Sequence, residues 1–232
     1  MLFSSTYLFS QIKGVTIKNR NEIDTLKVNI NSTFLLLGTL NDYINHKYVT
    51  KKNQFDRYYE YEKPLMAYVD SLARKDFKVI FSVEKNCFIS EKLTKKMDSL
   101  YIGNKLNDSL FTTIEKKISF ILGVFLRNGE KINDDIYKIQ LANLPKHQNV
   151  YEILKQLYCQ NIFYKRLDNY PKQYILYFQA TDVMKKYLAT ITTLNDEILD
   201  SKINAMRSSE EIKRQYKEST QKDHQKIIEL FK

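Results

Sequence analysis

The chain has 232 residues, 43% hydrophobic and 28% charged, with a formal net charge of +10. Its 5 Gly and 3 Pro exclude long flexible linkers, and its apolar content excludes wholesale disorder. A chain of this length buries a real core as one domain or two small ones, with 17 Tyr and 13 Phe supplying much of it.

Residues 1–10 are uncharged and largely apolar, and polar sequence begins at Gln11. The stretch is too short to span a bilayer. It resembles the back half of a secretory signal peptide, with Ser10 as the small residue before cleavage but no basic segment in front. The competing reading is an apolar N-terminus that packs on the domain. Residues 12–30 read as a β-hairpin, with short strands at 15–17 and 24–30 around Asn19-Arg20-Asn21-Glu22.

Asn31 or Ser32 caps a helix that the spacing of Phe34, Leu35, Leu37, Leu40, Tyr43 and Ile44 carries to about His46. A second helical pattern runs from Phe55 to Leu72, and Pro64 either breaks it or starts a new helix in its first turn. Residues 77–83 look like a strand able to pair with the N-terminal hairpin. Ser90 caps a short helix that Gly103 ends. Asn107 or Asp108 then caps a central helix at 109–127, stopped by Asn128-Gly129, whose Leu110, Phe111, Ile114, Ile118, Ile121, Leu122 and Phe125 follow a 3.6-residue period.

Ile136, Ile139 and Leu141 read as a short helix within 133–144, ended by Pro145, and Val150 to Tyr158 as another. Residues 173–179 fit strand or helix equally, because periodicity cannot separate the two in a short apolar run. From Thr181 onward the chain reads as helical. Ser208 with Glu211 forms a capping box before a mostly charged last helix, 209–231, with a thin stripe of Ile212, Tyr216, Ile227, Leu230 and Phe231. The expected fold is mainly α (α+β): a helical domain over 11–205, a small antiparallel β element near the N-terminus, and a long C-terminal amphipathic helix over 206–232.

Catalytic signatures are largely absent. His46, His147 and His224 lie far apart, and the sequence holds no phosphate-cradling glycine loop, no Gly-x-Ser-x-Gly and no Cys/His cluster. No catalytic residue, metal ligand or cofactor is assigned. Cys87 and Cys159 read as buried thiols, or as one disulfide in an oxidising compartment. The binding candidates are two aromatic-basic segments: Arg57, Tyr58, Tyr59 and Tyr61, and Tyr164 with Arg166. Such residues stack on bases or line a sugar or peptide site, and their plainer reading is a packing face. The carboxylate pairs read as helix-end or solvated charge.

Three functions follow. The first is an exported, periplasmic or surface, non-catalytic binding protein of unknown ligand, with the C-terminal helix meeting a protein partner. The alternative is a cytoplasmic basic protein that binds nucleic acid, drawn by the net charge. The third is an enzyme whose site gathers distant residues such as His46 with Glu60 or Glu62. No motif of a known family is matched.

Overall fold

The computed structural model describes residues 23, 26–41, 53–103, 105–142, 144–168, 172–205 and 210–232. The signal-like residues 1–10, the strand expected at 15–17, the capping serine at 208 and His46 lie outside them. Residues 26–30 carry no strand.

Helix α1, Ser32–Thr39, starts where the sequence indicates: the Asn31 side chain accepts hydrogen bonds from the Thr33 and Phe34 amides. From Phe34 to Thr39 every residue is buried, so α1 is a core helix rather than an amphipathic one. It crosses α4, Ile114–Asn128, whose residues from Ile118 to Arg127 are all buried. Two glycines set that crossing. A Cβ at Gly38 would stand 2.2 Å from the Phe120 carbonyl oxygen, and one at Gly123 would stand 2.0 Å from that of Leu35. Only hydrogen fits where the two backbones touch. The expected helix start at 109 is corrected. Asn107 caps a single 3-10 turn at Asp108–Leu110, and α4 begins only after Thr113, whose hydroxyl accepts from the Lys116 amide.

The first sheet follows β1, Gln54–Arg57, in the order β1-β3-β2, with β2 at Ser82–Glu84 and β3 at Cys87–Ile89. All its pairings are antiparallel. Pro64 sits in the first turn of α2, Lys63–Leu72, the second of the two readings it allowed. That helix continues as a π-helical segment, Ala73–Phe77, and ends at Lys78 with φ of 53°. Ser90 caps α3, Glu91–Asp98, as expected, but Gly103 does not end it. Gly103, at φ of 65°, turns the small hairpin of β4, Tyr101–Ile102, and β5, Lys105–Leu106.

The mainly helical expectation is corrected by the second half of the chain. A four-stranded antiparallel sheet lies there, in the order β6-β7-β9-β8, and the architecture is mixed α/β. Its strands are β6 (Gly129–Lys131), β7 (Ile136–Leu141), β8 (Gln160–Leu167) and β9 (Gln173–Gln179). β7 is the piece read as a helix. It is an inner strand, and Ile136, Tyr137, Ile139 and Leu141 are buried across both its faces. Burial alternates from Tyr137 to Leu141, with Lys138 and Gln140 half-buried, so the strand period is present, and the helical reading follows only from weighing Ile136, Ile139 and Leu141 without Tyr137.

Helix α5, Leu144–Gln156, joins β7 to β8, and α6, Asp182–Ala189, and α7, Thr192–Asn204, follow β9. The chain closes with α8, Glu210–Leu230. On α7 the buried Asn195 amide donates to the carbonyls of Phe125, Leu126 and Gly129, satisfying the last turn of α4.

Candidate nucleic-acid interface

Of the first expected cluster, Tyr58 is core. Its ring packs edge-on against Phe88 and lies 4.9 Å from the Arg127 guanidinium carbon. Tyr59 and Tyr61 stack on each other at 5.2 Å with rings nearly parallel. Arg57 is exposed, and its carbonyl accepts from Arg127.

Arg127 explains why this segment is structural. Its five donors are all used. Nε and Nη2 fork onto Glu62 at 2.8 Å, Nη1 reaches Asp56 at 2.7 Å and the Thr39 carbonyl at 2.8 Å, and Nη2 reaches the Arg57 carbonyl at 2.9 Å. Asp56 and Glu62 are both buried, and they also accept from the Arg57 and Tyr59 amides at 2.8 Å. One side chain thus ties the end of α1, strand β1, the turn before α2 and the end of α4. Burial raises the Asp56 carboxyl above its ordinary range, against the pull of Arg127. Burial also opposes the charge on Arg127, but Asp56 and Glu62 outweigh it, so the guanidinium is held charged. The enzymatic reading of Glu62 is corrected, since its carboxylate is committed here. Glu60 is exposed, and among the described residues no cluster of His, Cys, Asp or Glu could hold a metal ion.

The second expected pair, Tyr164 and Arg166, lies on β8, the edge strand of the larger sheet. Cross-strand pairing puts Tyr164 opposite Leu176 and Arg166 opposite Tyr174. These residues share the sheet face that meets the core, but at the edge the core runs out, and the Tyr164 side chain is left 53% exposed. Lys165 alternates to the other face and is also exposed. Arg166 makes a surface ion pair with Asp168 at 3.0 Å, an interaction worth little in water.

The structure adds His147, in the first turns of α5. Its ring lies 5.1 Å from Tyr164 and 5.4 Å from Tyr174, and it is 6% exposed. Among the described residues, neither ring nitrogen has a hydrogen-bond partner. Burial lowers its pKa to about 4, so at neutral pH the imidazole is uncharged, with one donor and one acceptor. The neighbouring Lys146 is buried too, and its ammonium donates to the Gly38 and Leu40 carbonyls at the end of α1 at 3.0 and 2.6 Å. Sequence reasoning missed His147 and Tyr174 because only the turn of α5 and the pairing of β8 with β9 bring them to Tyr164. No local pattern marks them.

The structure also places the two cysteines and the C-terminal helix. Cys87 lies in the first sheet and Cys159 beside the second, not joined in a disulfide, with the Cys159 sulfur 3.2 Å from that of Met184. Of the C-terminal seam expected to meet a protein partner, Phe231 packs on this chain's own sheet and Ile227 is half-buried, while Ile212, Tyr216 and Leu230 are exposed. Glu130, Lys138, Tyr177 and Phe163 stand in one cross-strand row on the outer face. Helix α8 grips both ends of the row, His224 to Glu130 at 3.0 Å and Phe231 edge-on to Phe163 at 4.8 Å. Burial pushes the Glu130 carboxyl up, but the bonds from His224 and Lys138 prevail and hold it at about 2.

No protein-family model matches the chain, and no curated protein matches it. Solved structures do resemble it. Mesophilic variants of the homing endonuclease I-DmoI match at 17% identity and a TM-score of 0.47, over 70% of this chain and 95% of theirs. I-DmoI in complex with DNA and Ca matches at 16% identity and a TM-score of 0.45, over 69% of this chain and 88% of that one. Full-length DUF199/WhiA from Thermatoga maritima matches at 12% identity and a TM-score of 0.38, over 87% of this chain and 70% of that one. The exported, non-catalytic binding protein expected first is corrected accordingly. These structures are of a homing endonuclease, one of them with DNA, and of WhiA, and none is a periplasmic or surface binding protein. No helix among the described residues is long and apolar enough to cross a membrane.

Proposed function

We propose that the chain is a nucleic-acid-binding protein, placed in the cytoplasm by that role, and that strand β8 meets the nucleic acid. The observation that carries this is the contact between half-exposed Tyr164 and buried His147, whose two nitrogens have no hydrogen-bond partner among the described residues. A buried polar ring without hydrogen bonds costs free energy that a ligand can return. Tyr164 offers an aromatic face on which a base can stack, and its displacement opens one donor and one acceptor to a base edge. Arg166, exposed on the same face as Tyr164, supplies charge to a flanking phosphate, and exposed Lys165 on the opposite face adds to the local positive field. The net charge of +10 favours the same class of partner.

The test is fluorescence anisotropy with labelled single-stranded and duplex oligonucleotides over a salt series. Binding should weaken steeply with salt. Tyr164→Ala should cost about 1–3 kcal/mol, the scale of one base–aromatic stack, without changing the salt slope. Lys165→Gln with Arg166→Gln should make the slope shallower. Salt-independent binding, or equal affinity for wild type and Tyr164→Ala, would remove this reading of β8.

A further inference from the structure

The sequence spreads its lysines evenly, but the fold does not leave them equal. Many of the surface cations are matched to acids: Lys95 to Glu91, Lys131 to Asp134, Lys155 to Glu152, Lys185 to Asp135 and Asp182, Lys213 to Glu210, Arg74 to Asp70 and Arg214 to Glu211. A different arrangement surrounds Phe77, at the end of the π-helical segment. Lys92, from α3, donates to the Phe77 carbonyl at 3.0 Å, and Lys96, one turn on, lies 5.6 Å from the centre of the Phe77 ring. Lys78 donates to the Lys75 carbonyl at 2.7 Å. Lys75, Lys78, Lys92 and Lys96 are all exposed, and among the described residues none of them is ion-paired to a carboxylate. The acid in their midst, Asp76, is engaged by the Ser32 hydroxyl at the start of α1.

Two elements remote in sequence therefore bring Lys92 and Lys96 to Phe77, beside Lys75 and Lys78 at the end of the same π-helical segment. Part of this capacity neutralises the last carbonyls of a helix, a favourable place for cations. That use is partial. Each ammonium has three donors, and a single carbonyl bond leaves two directed to solvent. The carbonyl bonds also hold Lys78 and Lys92 in place, so an incoming anion finds the charges already gathered rather than having to collect them.

We propose that the lysine cluster at the end of the π-helical segment is a second contact for nucleic acid, one that grips the sugar-phosphate backbone without reading bases. This rests on the nucleic-acid reading of the chain but not on strand β8. The two contacts divide the work: stacking at Tyr164, and phosphate charge at Lys75, Lys78, Lys92 and Lys96.

The experiment compares the full chain with Lys75→Gln/Lys92→Gln/Lys96→Gln in the same anisotropy titrations, from 50 to 300 mM salt. Lys78 is left intact because its left-handed backbone ends the helix. The triple variant should show a log–log salt slope shallower by roughly 2 on single strands, at about 0.7 per phosphate, and by roughly 3 on duplex, at about 0.9 per phosphate, with equal losses on oligonucleotides of different sequence. Arginine at the same three positions should restore the slope, which a merely structural role for the lysines would not require. A slope unchanged in the glutamine variant, with wild type binding well, overturns this contact and leaves the β8 reading standing. Wild type that binds no oligonucleotide overturns both. Binding instead to phosphatidylserine-containing vesicles, lost in the triple variant, overturns it in favour of a membrane surface.

Discussion

His147 allows a test that separates stability from function in one residue. Its folded pKa of about 4 lies below its ordinary 6.5. The unfolded chain therefore binds the proton more tightly than the folded one. The stability tied to the neutral ring is complete above pH 6.5, declines as pH falls and is fully lost below about pH 4. At 1.36 kcal/mol per pKa unit the difference is on the order of 3 kcal/mol. His147→Phe keeps an aromatic ring against Tyr164 and Tyr174 but carries no proton and no unpaired nitrogen. At pH 7 it should be neutral or stabilising by about 1 kcal/mol, since it removes two buried polar atoms that nothing satisfies. Urea unfolding followed by circular dichroism at pH 7, 5.5 and 4 gives both quantities. Between pH 7 and 4 the wild type should lose about 3 kcal/mol more than His147→Phe. In the anisotropy assay the same variant should bind nucleic acid more weakly, although it folds at least as well. Parallel pH dependences for the two proteins would refute the burial argument. A loss of more than about 2 kcal/mol for His147→Phe at pH 7 would show that the ring nitrogens are bonded after all.

Other outcomes follow from the packing. Arg127→Met should cost about 3–5 kcal/mol in chemical denaturation, because it strands Asp56 and Glu62 as buried carboxylates. Adding Asp56→Asn and Glu62→Gln to it should recover much of that loss, and no recovery would mean that the carboxylates are not what destabilises the single variant. Gly123→Ala places a Cβ against the Leu35 carbonyl and must push α1 from α4, so we expect a loss of about 1–3 kcal/mol or more in thermal or urea unfolding. Phe231→Ala removes one of the two grips of α8 on the sheet. Hydrogen exchange should then rise along Glu210–Leu230 while α1 and α4 keep their protection.

Short-range signals were readable wherever chemistry and position coincide along the chain. Asn31, Ser90 and Asn107 offer side-chain oxygens to amides two or three residues on, and each caps the element that follows it. Pro64 has its amide where a helix needs none, and it opens α2. The apolar period of Ile118 to Phe125 marked the central helix, and Asn128-Gly129 marked its end. The sheet was less legible. Gln173 to Gln179 is an inner strand with four consecutive buried residues, so burial does not alternate along it, and Ile136 to Leu141 alternates only from Tyr137 onward, over a length that admits either element.

The candidate site was half legible, and the reason is the same. Tyr164 and Arg166 could be picked out because aromatic and basic residues adjoin in sequence. The same composition at Arg57, Tyr58, Tyr59 and Tyr61 pointed to a binding surface, yet there Tyr58 and its neighbours wrap a buried arginine 70 positions away from Arg57. Composition is identical before folding, and only tertiary structure decides which ring meets solvent. By itself the sequence determined the side-chain caps at Asn31, Ser90 and Asn107, the basic charge and the lack of local catalytic motifs, which are read from composition or from residues within a few positions of one another. The pairing of β8 with β9, the seating of His147 beneath Tyr164 and the gathering of lysines around Phe77 were decided only by the fold, because each joins groups separated by far more chain than local backbone preferences can reach.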